Sequence, residues 1–239
     1  MPDPEQRPIH PLERKPAHEP DYTQLTPPPP VPMSERLAQM SRMWAVWVLI
    51  LINLAVFFSG GITDQAINQR AYVGGNSPFF VRENGEVWRL LTAMFLHGSI
   101  AHVGLNMLTL YSIGSVVETL FGHRRFLMVY FASGLGGSLM SVLLGSYYGT
   151  SVGASGAIFG LFGVLIVFFY RYRSRLTDGG REFWRSLIFS AVMVLAVGFI
   201  PGSIIDNWGH LGGLLVGAGL AWGMNPSQSV RAPYPTNDL

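Results

Sequence analysis

Six apolar stretches, each near the length that crosses a lipid bilayer, constrain this 239-residue chain more than any other feature. They cover about residues 43–58, 100–121, 126–144, 152–170, 183–200 and 204–222. A helix needs about 20 residues to cross the hydrocarbon core, and the shorter stretches fall a little below that. Inside hydrocarbon, backbone N–H and C=O groups have no water to bond, so a lone apolar run must satisfy them as a helix. The predicted fold class is therefore an all-α membrane protein, a bundle of six transmembrane helices. Composition agrees: charged residues make up 13% of the chain, against about 25% in a soluble domain.

The chain divides into three regions. Residues 1–41 are rich in proline, with an unbroken proline run at 27–30, and poor in apolar side chains. Such a segment buries too little surface to offset its ordering entropy, so it is expected to be a disordered cytosolic tail. Residues 42–224 carry the helical domain, and 225–239 form a short cytosolic tail. Trp44 and Trp47 stand at the start of the first stretch, and Trp184, Trp208 and Trp222 at the ends of later ones, where an interfacial aromatic belt belongs.

Arginine placement sets the expected orientation. Arg36 and Arg42 precede the first stretch, Arg124 and Arg125 follow the second, and Arg171, Arg173, Arg175, Arg181 and Arg185 follow the fourth. The two short loops on the other side, around 146–150 and 201–202, contain no Lys or Arg. The positive-inside rule then puts both termini in the cytosol, and the plasma (inner) membrane of a bacterium is the expected location. The first outer loop, 59–99, is the exception, with Arg70, Arg82 and Arg89. Its apolar piece 87–96 is too short to span and suits a segment lying in the interface. Cysteine is absent, which excludes disulfides and thiolate metal sites. A net charge of +2, carried by these loop arginines, gives no reason to expect nucleic acid.

Ionisable groups in a membrane are expensive and default to function. Of six histidines, His97, His102 and His210 fall near the outer ends of stretches. Asn106 follows His102 by four residues and shares its helix face. The fourth stretch opens with Gly153-Ala154-Ser155-Gly156-Ala157, which puts Ser155 at an N-cap-like position. Taken alone, a serine there caps its helix. Free N–H groups at a helix start also favour a developing oxyanion. Gly156 and Gly160 on one helix, and Gly209, Gly213 and Gly217 on another, are spaced for close helix approach. If those faces meet, His210 lies at the depth of Ser155 and can serve as its base.

Taken together, Trp88-Arg89, His102-x-x-x-Asn106, Gly153-x-Ser155-Gly156 and His210-x-x-Gly213-x-x-x-Gly217 occur in this order. The set resembles the rhomboid family of intramembrane proteases over about residues 43–223. The resemblance implies a six-helix bundle with a Ser–His dyad in a water-filled cavity open to the outer face. Ser155 would be nucleophile and His210 base; His102 and Asn106 with the Ser155 backbone N–H would form the oxyanion hole. His97, Gly153, Phe159 and Gly213 would support the site. Phe159 stands where some relatives carry a tyrosine packed on the base. Trp88, Arg89 and Glu118 are read as structural, Arg89 fastening the first loop and Glu118, toward the cytosolic end, holding helix ends or loop backbone. Single-pass membrane proteins are the implied substrates, the lipid bilayer the surroundings, and no cofactor is implied.

Other readings leave marks that can be sought. A metal site fits poorly, since His97 and His102 are five apart and no HExxH is present. A non-catalytic rhomboid-like protein that binds membrane clients has no need of both Ser155 and His210. A proton-coupled transporter would show paired broken helices or repeats. Asp206, four residues before His210, invites a Ser–His–Asp triad. It is expected instead in an outer loop or frayed first turn, exposed to water, leaving a dyad.

Overall fold

Each apolar stretch forms a helix, and what separates them is also largely helical. The computed structural model describes residues 43–200, 203 and 205–226. Helix α1 spans Trp44–Ser59, α2 Asp64–Gly74, α3 Pro78–Glu83 and α4 Arg89–Thr92, which runs into a 3-10 turn at Ala93–Phe95. Helix α5 spans Ile100–Phe121 with a π-helical turn at Leu110–Gly114, and α6 spans His123–Leu144. Then come α7 Ser155–Arg171, α8 Asp178–Gly198 and α9 Asn207–Gly223. Among the described residues there is no strand, only an isolated antiparallel bridge between Asn76 and Ser151. Residues 1–42 and 227–239 and the loop residues 201, 202 and 204 lie outside the described residues.

Two helices, α5 and α6, at 22 residues each, are long and apolar enough to cross a membrane unaided. The pair α1 and α2 passes together but is bent by 117° at its break, and α7 is apolar but has 17 residues. The first loop folds into α2, α3 and α4, and its 87–96 piece packs one face on the bundle while the other is exposed. Trp88 and Leu91 are exposed, but Arg89, Ala93 and Met94 are buried. Met94 drives its thioether against Gly134 of α6, where a methyl would lie 2.1 Å from Met94 Cε. The missing side chain of a glycine 40 residues away draws this segment inward.

Helix α7 is the axis of the bundle. Residues 157–165 are buried without interruption, as in a helix that is apolar all round and enclosed by others. Glycine lets α9 reach it. A Cβ at Gly213 would stand 1.9 Å from the Gly156 carbonyl oxygen, and one at Gly217 2.0 Å from that of Gly160. The same helix presses on α6, where a Cβ at Gly212 would meet the Gly136 oxygen at 2.9 Å. Backbones this close are held by van der Waals contact along the seam, since lipid gives helices no hydrophobic reason to associate. Helix α8 is peripheral. It buries Leu187 and Ala191 and exposes Phe189, Val192, Met193 and Val197, an outward apolar face suited to hydrocarbon.

Three charged side chains fasten helix ends. The fully buried Glu118 carboxylate accepts from the backbone N–H groups of Ala45 and Val46 at 3.1 and 2.9 Å. It thus satisfies two of the donors that α1 leaves unpaired at its start, and His123 Nδ1 lies 2.5 Å from it. The Arg89 guanidinium donates to the carbonyls of Tyr72 and Gly75, pairs with Glu86 at 2.6 Å and covers the Phe80 ring. At the opposite end of the bundle Arg171 donates to the Ala221, Trp222 and Met224 carbonyls, closing the C-terminus of α9.

Candidate active site

The segment that delivers Ser155 is pinned on both sides. Asn76 and Ser151 exchange backbone N–H···O bonds of 2.9 Å, and the Gly153 N–H donates to Ala93 O at 2.9 Å. Gly153 then turns with φ +129°, a conformation that favours glycine. A Cβ there would also lie 2.9 Å from His102 Nε2. Ala154, not Ser155, occupies the N-cap and makes no side-chain capping bond. Ser155 is the first helical residue, so its hydroxyl does not cap α7. It meets His210 Nε2 at 2.8 Å, across 55 residues of sequence.

His210 sits in the first turn of α9, and that turn is not frayed. Asp206 is its N-cap and accepts from the Gly209 N–H at 2.9 Å. The expectation of a water-exposed Asp206 is corrected: the residue is half-buried. The His210 N–H donates to the Asp206 carbonyl at 3.0 Å, but no hydrogen bond joins the Asp206 carboxylate to the His210 ring, whose Nδ1 is buried without a partner among the described residues. A triad carboxylate would occupy that nitrogen. Phe159 orients the ring instead, stacking on His210 with centroids 4.2 Å apart and planes within 3°. An imidazole accepting from Ser155 through Nε2 keeps its proton on Nδ1.

His102 Nδ1 accepts from the Gly98 N–H at 3.3 Å, which leaves the Nε2 proton of the neutral ring facing Gly153. The position of a Gly153 Cβ is 2.9 Å from that nitrogen and 3.7 Å from Ser155 Oγ. The backbone N–H groups of Ser155, Gly156 and Ala157 have no acceptor among the described residues, as expected at a helix start. Asn106 is buried, but its amide donates to the His102 carbonyl at 3.0 Å and makes no bond to Ser155. His97 packs edge-on against His102, with centroids 5.1 Å apart. Burial, and secondly His102 beside it, push His97 down to about 3. Gly213 belongs to the helix seam, while Trp88, Arg89 and Glu118 stand apart from Ser155 in the contacts described above.

A cavity of about 30 Å³ opens at the pair, lined by Ser155 and His210 with Ala93, Met94, Ser151 and Asp206 among its walls. One water fits such a space. Next to it lies a larger one of about 320 Å³ that shares Ser151 and Asp206. Sequence reasoning overlooked Asn76, Ala93, Met94 and Ser151, because backbone pairing and a thioether in a glycine notch leave no motif.

An all-helical membrane bundle with a serine bonded to a histidine beside a small cavity defines the class of protein. A family model described as the Rhomboid domain matches residues 84–227. The chain is 37% identical over 176 residues to "Rhomboid protease GluP" of Bacillus subtilis (strain 168), covering 72% of this chain and 33% of that one. It is 32% identical over 243 residues to "RHOMBOID-like protein 5" of Arabidopsis thaliana, covering 86% and 76%. With "Rhomboid-like protease 1" of Toxoplasma gondii it shares 36% identity over 171 residues, covering 72% and 58%. This chain belongs to the rhomboid family and is an integral membrane protein. It spans a third of the length of the Bacillus relative.

Proposed function

We propose that the chain is an intramembrane serine endopeptidase that cleaves transmembrane segments of single-pass membrane proteins, with Ser155 as nucleophile and His210 as general base. The observation that carries this reading is the 2.8 Å contact between Ser155 Oγ and His210 Nε2. A serine hydroxyl is a weak nucleophile until an adjacent base takes its proton. Two of the relatives are named proteases, which supports the same reading.

The reaction runs as an acyl transfer. Ser155 Oγ attacks the scissile carbonyl as its proton passes to His210 Nε2. The carbonyl oxygen becomes an oxyanion, held by the Ser155 backbone N–H and the His102 Nε2–H. Asn106 joins that hole once its amide swings away from the His102 carbonyl. The imidazolium then protonates the leaving amine, the C–N bond breaks and an ester forms on Ser155. A water in the cavity repeats the sequence, giving its proton to His210 and its oxygen to the acyl carbon, and Ser155 is restored.

Six spanning helices, α1 and α5 to α9, hold this site near the outer face, with both termini in the cytosol of a bacterial cell. The arginine distribution supports that orientation. Labelling by a fluorophosphonate tests the proposal. The purified protein should become labelled and Ser155→Ala should not. Labelling that survives the substitution would put the nucleophile elsewhere, and labelling absent from the wild type would favour a client-binding protein without catalysis.

A further inference from the structure

The larger cavity beside the nucleophile carries one charged wall residue, Asp206, and no Lys or Arg. It measures about 320 Å³, and its walls include Asn76, Ser141, Ser146, Ser151, Asp206 and Asn207. These are polar and neutral apart from Asp206. Arg82, at the outer end of the bundle, is occupied by the Val142 carbonyl. Asp206 and Ser151 also line the small cavity that holds Ser155 and His210, so the carboxylate stands on the boundary between the two spaces.

That carboxylate is only partly used. Oδ1 accepts from the Gly209 N–H, and among the described residues Oδ2 takes no hydrogen bond and no cation pairs with the group. The capping bond and the positive end of α9 answer part of its charge, and Oδ2 is left free to accept. An opposite charge brought into a site of lowered dielectric is attracted more strongly than in water. The space is roomy, adjoins the small cavity at the reacting pair through Ser151 and Asp206, and carries one negative side chain.

We infer that Asp206 is a specificity residue: it selects substrates that place a Lys or Arg side chain, within a few residues of the scissile bond, in the larger cavity. This rests on the protease reading above. The cation pairs with Asp206 Oδ2, and Ser151 and Asn76 border its stem. Asp206 touches substrate without entering the chemistry, and the preference therefore shows in kcat/KM ratios between substrates.

The test uses the purified full chain in detergent and one cleavable transmembrane substrate. Lys, Gln and Glu are placed in turn at each of four positions on either side of the cut. At one position the wild type should cleave the Lys form with kcat/KM at least about tenfold above the Glu form, with Gln between. In Asp206→Asn, which keeps a capping side chain, that ratio should fall to within about twofold of one. Asp206→Ser, another good cap, should behave alike, so a folding defect of one variant does not decide the matter. Cleavage with no position preferring Lys, or a preference that survives both substitutions, overturns the assignment. Failure of the protease reading looks different: no member of the series is cut and the fluorophosphonate does not label.

Discussion

The imidazole of His210 lies flat on the ring of Phe159, with centroids 4.2 Å apart and planes 3° from parallel. His210 Nδ1 has no partner among the described residues, so in the proposed dyad this stack would hold the base where a triad uses a carboxylate. An aromatic pair is worth about 0.5–1.5 kcal/mol beyond its buried area. Phe159→Leu should therefore lower kcat by about three- to tenfold with little change in KM. Phe159→Tyr should retain activity. Equal kcat for Phe159→Leu and wild type would remove the ring from the mechanism.

Ser155 and His210 are expected to act as one unit. Ser155→Ala and His210→Ala should each abolish cleavage, and the double variant should be no slower than either. All three proteins should insert and fold, as checked by far-UV circular dichroism and size exclusion. Substantial cleavage by purified Ser155→Ala would end the assignment of the nucleophile.

The glycine seam gives a stability prediction with its own control. A Cβ at Gly213 would lie 1.9 Å from the Gly156 oxygen, whereas one at Gly219 meets nothing within 4 Å. Gly213→Ala must part α7 from α9 and should cost about 1–3 kcal/mol. It should also lose activity, since His210 is one turn away on the same helix. Gly219→Ala should leave the thermal midpoint unchanged or slightly raised. Similar midpoints for both variants would mean that the seam is not tight.

His97 predicts a pH dependence. In the folded protein it is pushed down to about 3 from the ordinary 6.5. Above pH 6.5 it is neutral folded or unfolded and contributes no pH dependence. Between 6.5 and about 3 the unfolded chain takes up a proton that the folded one refuses, so stability falls as pH falls through this window. Thermal midpoints measured from pH 7.5 to 4 should drop less steeply in His97→Gln. Parallel curves for the two proteins would exclude His97 as the source.

Membrane orientation is testable because the chain has no cysteine. Tyr148 is 82% exposed in the loop between α6 and α7, and Arg175 lies in the loop between α7 and α8. Tyr148→Cys should react with an impermeant thiol reagent added to intact spheroplasts, and Arg175→Cys only after lysis. The reverse pattern would turn the site to the cytosol.

Much of this architecture is legible in the chain itself. Hydrocarbon leaves a run of apolar residues one backbone solution, so α1 and α5 to α9 fall where the apolar stretches lie. The glycines at 156, 160, 213 and 217 announce a close seam, because small residues at that spacing have few other uses in a membrane helix. What only the tertiary structure decided concerns partners distant in sequence. That Ser155 gives its hydroxyl to His210 instead of its own helix end depends on α9 sliding along α7. That Asp206 caps α9 and borders two cavities depends on where the loop before it is carried. Asn76 meeting Ser151, and Met94 filling the space over Gly134, depend on the first loop folding back onto α6. Local sequence specifies which backbone conformation a segment prefers and which face is apolar. It does not carry the chain path that brings residues 40 or more positions apart into contact, and the geometry of this site is made of such contacts.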